Sequence, residues 1–259
     1  MRKTLLLGTG LLFVCGAAFA DAQKPQAYVD PAAMPDTTVI LPHAPLKGTA
    51  RYEADRKIFL RTRKLKGSAR WAMAQNDNDY SDAALAKDFT CALGVAINPQ
   101  DEPHLSQLVS RMTPDLLKAM RDAKDFNKRQ RPFLIDKGDT CIPITPDFAK
   151  SYDYPSGHAT FSWSMGLILA EIAPDRATQI LARARAYGES RVVCGVHNAS
   201  AVDAGRTEAS IVVAALHSSS EFRADLDAAR TELAAARAKA ITAPADCDAE
   251  NALVAQPLY

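Results

Sequence analysis

Phe222, Leu226, Ala229, Leu233 and Ala236 recur at alternating steps of four and three residues, the apolar stripe of an amphipathic helix that must lie against a core. No segment alternates apolar and polar residues as a half-buried strand does, and no repeat is visible. A chain patterned this way folds as helix on helix. Further helices are expected over about 50–72, 81–95, 156–172, 174–188 and 201–217. Thr113 followed by Pro114 reads as a helix start, opening a periodic segment that runs towards Arg131-Pro132, where the proline disfavours more helix. Five of the 15 prolines (Pro25, Pro31, Pro35, Pro42, Pro45) fall in residues 21–50, which marks an extended or irregular arm. The 259 residues suffice for one sizeable core. The expected fold is all-α: a compact single-domain helical bundle over 51–259, with a proline-rich N-terminal arm over 21–50.

Residues 1–20 combine a basic start (Arg2, Lys3), an apolar run from Leu5 to Val14, and Ala18-Phe19-Ala20. This is the pattern of a secretory signal peptide cleaved after Ala20, and it implies export to the periplasm. The apolar run is shorter than the ~20 residues a membrane span needs, and no later segment is apolar for long enough, so no membrane association is expected. Removing Arg2 and Lys3 with the leader turns 31 basic against 30 acidic residues into 29 against 30. A near-neutral chain has no global field for nucleic acid or an anionic bilayer, so any anion site must be local. Cys91, Cys141, Cys194 and Cys247 remain after the leader. An even number in an exported chain implies two disulfides, in any of three pairings; no C-x-x-C pair suggests zinc, and no metal is expected.

Three segments could carry chemistry. Lys124 and Arg131, seven residues apart near the end of one helix, would project from nearly the same face, although the nearby Lys128 and Arg129 would also fit a solvated charged face. Ser156-Gly157-His158 opens an apolar-rich helical run, and a Ser-Gly pair at a helix N-terminus leaves backbone N–H groups free to hold a phosphate; the plainer reading makes Ser156 an N-cap only. The third segment, from Ser190-Arg191 to His197 and on to Asp203, adds a cation and a second histidine at a turn between helices. Ser200 and Asp203 fit a capping-box spacing, with Asp203 at the third helical position.

Together, Lys124-x6-Arg131-Pro132, Pro155-Ser156-Gly157-His158 and Ser190-Arg191-x5-His197, separated by 22 and 31 residues, resemble the three-part signature of the type 2 phosphatidic acid phosphatase (PAP2) and vanadium haloperoxidase superfamily. With the export signal, the chain resembles the class A bacterial non-specific acid phosphatases, a family with a compact all-helical fold. The resemblance implies that Lys124, Arg131 and Arg191 neutralise the phosphoryl oxygens and that Ser156 and the Gly157 backbone add neutral donors. It makes His197 the nucleophile that forms a phosphohistidine and His158 the general acid and base. It implies no cofactor and no metal. The family pattern ends with histidine, three residues, then an aspartate that accepts a hydrogen bond from the histidine ring; here that position is Ala201. Asp203, a carboxylate from elsewhere or a backbone carbonyl is expected to substitute.

The implied partners are small-molecule phosphate monoesters of broad range, not nucleic acid or membrane; self-association into a homo-oligomer is left open. Two other readings share the signature: a vanadate-dependent haloperoxidase, and a weakly active phosphate-binding relative that lost turnover with the aspartate.

Overall fold

A computed structural model describes residues 25–240, 247–256, 258 and 259. The signal peptide expected over 1–20 lies outside the described residues. The described elements are α-helices α1 (Thr37–Ile40), α2 (Ala50–Thr62), α3 (Ala69–Asn76), α4 (Asp82–Asp88), α5 (Thr90–Leu93), α6 (Pro103–Asn127), α7 (Pro146–Lys150), α8 (Gly157–Ile172), α9 (Ala177–Val193), α10 (Ala199–Leu216), α11 (Ser220–Lys239) and α12 (Cys247–Val254), with three short 3₁₀ turns and no strand among the described residues. The expected all-α class is the observed one.

The apolar α8 is the central helix, packed against α9 and α10 along most of its length and against α6 and α11 on its other sides. Met165, Ile168, Leu169 and Ile172 are all nearly inaccessible, as expected of a helix that is apolar on most faces. Gly166 lets α9 approach closely, because a Cβ there would fall 2.5 Å from the Ala184 Cβ. The stripe on α11 is buried as its periodicity predicts, with Phe222, Ala229 and Leu233 at 0% exposure.

Helix α6 departs from expectation. It starts at Pro103, in the first helical position, and carries Pro114 in its interior. An internal proline costs about 3 kcal/mol. Yet Leu105, Leu108, Val109, Met112, Leu116, Ala119 and Ala123 form one buried stripe through it, and each large side chain buried contributes about 1.5–3 kcal/mol, so packing carries the helix past the proline. The helix ends at Asn127, with Lys128 left-handed at φ 48, and Arg131 lies beyond it in extended backbone rather than on it. The helix expected over 50–72 is two, α2 and α3, broken at Gly67 with φ 79. The one expected over 81–95 is also two, α4 and α5, stopped by left-handed Gly94. Helix α9 runs five residues beyond its expected end, to Val193.

Residues 25–49 are irregular apart from the single turn α1, which packs against α6. Asp115 accepts the Tyr28 and Val29 N–H groups at 2.9 and 3.4 Å, and Thr37 Oγ1 donates to Ala119 O. The disulfides are Cys91–Cys247 and Cys141–Cys194, which selects one of the three pairings. Among the described residues no helix is long and apolar enough to cross a membrane.

Candidate active site

The chain enters α8 through a loop, residues 151–156, that meets two of the three predicted cations and one predicted histidine. Lys124, in the last turn of α6, donates Nζ–H to Tyr152 O at 2.6 Å. Arg131 donates Nε–H to Ser151 O at 3.0 Å, lays its guanidinium over the Phe148 ring at 4.0 Å, and donates from Nη1 to Val196 O at 2.7 Å. Lys124 and Arg131 thus converge because the chain reverses at Lys128, not because they share a helix face. Arg129, which the charge run suggests is solvated, is instead buried against Asp55 at 2.8 Å.

His197 lies in the turn between α9 and α10 with its side chain 3% exposed. Its Nδ1 is 3.0 Å from Asp153 Oδ1, and its Nε2 is 3.0 Å from Arg131 Nη1. The carboxylate beside the ring is therefore Asp153, in the loop before α8. Asp203 does not reach it: its side chain is 49% exposed and pairs with Arg51 and Arg206. The expected capping box is absent as well. Helix α10 starts one residue after Asn198, so Ser200 is already helical and gives its N–H and hydroxyl to Asp55. Ala201 is fully buried with Ala44, Tyr154 and Ala204, and its carbonyl accepts the Ser156 N–H at 2.9 Å.

His158, half-buried in the first turn of α8, has Nε2 3.0 Å from Asn78 O and its ring edge-on to Tyr80, with centroids 4.6 Å apart. A carbonyl only accepts, so Nε2 carries the proton and Nδ1 is the nitrogen that titrates. Asn78 also accepts from Arg191 Nη1 through its side-chain oxygen at 3.1 Å. Arg191 itself is 1% exposed in the last turn of α9. Asn78, Tyr80 and Asp153 are site residues that sequence reasoning missed; the polar run Asn76-Asp77-Asn78-Asp79 between two helices was the available signal for the first. Ser156 sits at the N-cap of α8, but its hydroxyl caps nothing and is buried without a protein partner.

These side chains border a cleft of about 420 Å³ lined by Lys124, Arg131, Gly157, His158, Arg191 and His197 together with the apolar Leu117, Met120, Phe148 and Phe161. Withdrawal from water dominates the electrostatics. Burial first, then Arg131, brings Lys124 down from 10.5 to about 7. Burial holds Arg131 and Arg191 at about 10, still protonated at neutral pH. Both histidines are held well below 6.5, His197 by burial and then Arg131, Lys124 and Arg191, and His158 by burial and then Arg191. Three partly desolvated cations facing one cleft, with Asp153 as a nearby counter-charge, are an environment that attracts a dianion strongly.

Residues 105–224 match the PAP2 superfamily. An acid phosphatase of Zymomonas mobilis is 41% identical over 212 residues, covering 80% of this chain and 79% of that one. Non-specific acid phosphatases of Providencia stuartii and Salmonella typhimurium are 34% and 32% identical over 244 and 219 residues, covering 90% and 84% of this chain. The chain belongs to the PAP2 superfamily.

The PAP2 match spans Lys124 through His197, so every residue that the signature picks out lies within the matched region. Among the described residues no group of three or more His, Cys, Asp or Glu side chains is placed to hold a metal ion. What the PAP2 cleft offers an oxyanion is a lysine, two arginines and the N-terminus of α8.

Proposed function

We propose that this chain is an exported, metal-independent acid phosphatase that hydrolyses phosphate monoesters of broad range through a phosphohistidine intermediate. The observation that carries the reading is the convergence of Lys124, Arg131 and Arg191 on the cleft that also holds His158 and His197; the names of the relatives support it. Lys124 and the two guanidinium groups hold the phosphoryl oxygens, the arginines through paired N–H donors, and the Gly157 N–H at the start of α8 adds a neutral donor. Ser156, buried with a free hydroxyl, lies just behind.

His197 Nε2 attacks phosphorus as the ester P–O bond breaks, and His158 gives its proton to the departing alkoxide. His158 then takes a proton from water as the water oxygen attacks phosphorus, and the P–N bond breaks to return its electron pair to Nε2. The depressed value of His197 keeps the nucleophile unprotonated in acid. Burial, then Arg191 and Arg131, depress His158; bound phosphate charge opposes those two cations and so raises its proton affinity in the complex. An acid optimum is the result, because the general acid must be charged while the nucleophile is not.

The test is hydrolysis of p-nitrophenyl phosphate by protein lacking residues 1–20, at pH 5–6 with excess EDTA. Turnover that persists in chelator and is blocked by vanadate is expected. A requirement for added divalent metal would remove the metal-independent claim, and vanadate-dependent bromide oxidation in place of hydrolysis would reassign the site to a haloperoxidase.

A further inference from the structure

We propose that Asp153, in the loop before α8, is the positioning residue of the nucleophile, taking the place of the aspartate that the resemblance puts at position 201. This rests on the phosphohistidine reading above, but its decisive observable does not need turnover.

The placement is specific. Asp153 is fully buried, and donors engage both of its carboxylate oxygens. Oδ1 meets His197 Nδ1 at 3.0 Å and the Asn198 N–H at 3.1 Å; Oδ2 accepts from Asn198 Nδ2 at 2.8 Å and faces Arg129 Nε at 3.6 Å. Arg129 is itself fixed, with Nη1 on Ser200 Oγ at 2.6 Å, Nη2 on Asp55 Oδ2 at 2.8 Å, and its carbonyl accepting the Asp153 N–H at 2.9 Å. The carboxylate is thus braced from α2, from the turn after α6 and from α10. Burial pushes its proton affinity up, while Arg129 and the Asn198 donors oppose that and favour the ionised form.

An ionised carboxylate only accepts, so His197 Nδ1 carries the proton and Nε2 keeps its lone pair, 3.0 Å from Arg131 Nη1. When Nε2 bonds to phosphorus and the ester oxygen leaves, Nδ1 keeps its proton and the ring becomes cationic. Asp153 then lies beside that new charge. Position 201 cannot take the role. Its methyl group lies in an apolar cluster with Ala44, Tyr154 and Ala204, and it serves the site through its carbonyl, which holds the Ser156 N–H. The carboxylate has moved from α10 to the loop that also receives Lys124 and Arg131.

The experiment is ¹⁵N NMR of histidine-labelled protein, with His197 assigned from its loss in His197→Ala, together with kinetics of Asp153→Asn. In the unmodified chain His197 is expected to show a protonated Nδ1 and a bare Nε2. In Asp153→Asn that signature is expected to be lost, with kcat for p-nitrophenyl phosphate down on the order of 10⁴-fold, as when the aspartate of a Ser-His-Asp triad is amidated, and inorganic phosphate inhibition within threefold. A protonated Nε2 in the unmodified chain overturns the proposal without any variant. So does a variant kcat within threefold, or a loss of kcat matched by an equal loss of phosphate binding with the tautomer unchanged, which would make Asp153 merely structural. A chain without phosphatase activity would defeat the proposed function and leave the tautomer measurement to decide this inference.

Discussion

Raising the pH through neutrality should weaken phosphate binding, chiefly because of one lysine. Lys124 is enclosed, with Nζ on Tyr152 O at 2.6 Å, and burial followed by the charge of Arg131 lowers its ammonium to about 7. A lowered value on a cation means that the charge is present below neutrality and lost above it. A bound phosphate dianion favours the charged form and lifts the value back towards that of a free lysine. Between the free and bound values, affinity falls tenfold for each pH unit, about 1.4 kcal/mol. Because half of the lysine is already uncharged at pH 7, the expected loss from pH 7 to pH 9 is about 50-fold, or ~2.3 kcal/mol. Glu208, raised to about 7 by burial, ionises in the same range and also opposes an anion. The assay is calorimetric titration with inorganic phosphate, with affinity expressed for the dianion at each pH, in buffers of different ionisation enthalpy. Wild type and Glu208→Gln should both lose affinity and take up close to one proton per phosphate at pH 8, whereas Lys124→Arg should show neither effect. A Kd that is flat from pH 7 to 9, or the same slope in Lys124→Arg, would refute the reasoning.

Replacing His158 with asparagine should slow alkyl phosphates by about 10²–10⁴-fold, the usual contribution of a general acid, but p-nitrophenyl phosphate far less, since its leaving group needs little protonation; equal losses on both substrates would argue against the role. Arg183, 2% exposed, pairs with Asp77 at 2.7 Å and with Asp88 at 3.7 Å, so Arg183→Met should leave buried carboxylates without a cation and cost about 3–5 kcal/mol in urea unfolding. Removing the Cys141–Cys194 bridge, which spans 53 residues, should cost about 4 kcal/mol on the loop-closure estimate, and a loss under ~1 kcal/mol in denaturant would show that the reduced chain is already constrained.

The parts of this protein that were legible in its sequence are those fixed by local pattern. The stripe on α11 predicts its own burial, and the three segments that meet at the cleft were readable because their residues lie within short runs of chain. Pro114 misled because a local rule, proline as a helix start, was outweighed by a buried stripe whose partners lie on other helices. The break at Gly67 went unread because a single glycine does not declare a left-handed turn. Asp153 and Asn78 carried no periodicity or spacing; what makes them site residues is contact with His197, His158 and Arg191 across 44, 80 and 113 residues of chain. The gap at Ala201 did announce that another acceptor was needed, and only the fold shows Asp153 beside the His197 ring. Helix α12 is held in place largely by long-range links, the Cys91–Cys247 bond and the Arg183–Glu250 pair at 3.1 Å, and eight residues were too few to show a convincing stripe.

Rapid acid quench and immediate neutralisation during turnover of a ³²P-labelled monoester tests the central claim most directly, because it asks whether phosphorus is ever bonded to this protein and where. Label is expected on the chain that survives alkali and is lost in prolonged acid, as a phosphoramidate should be, that maps to His197 and that is missing from His197→Ala. Label that persists in that variant, or unlabelled protein under conditions where hydrolysis of the intermediate limits turnover, would contradict it.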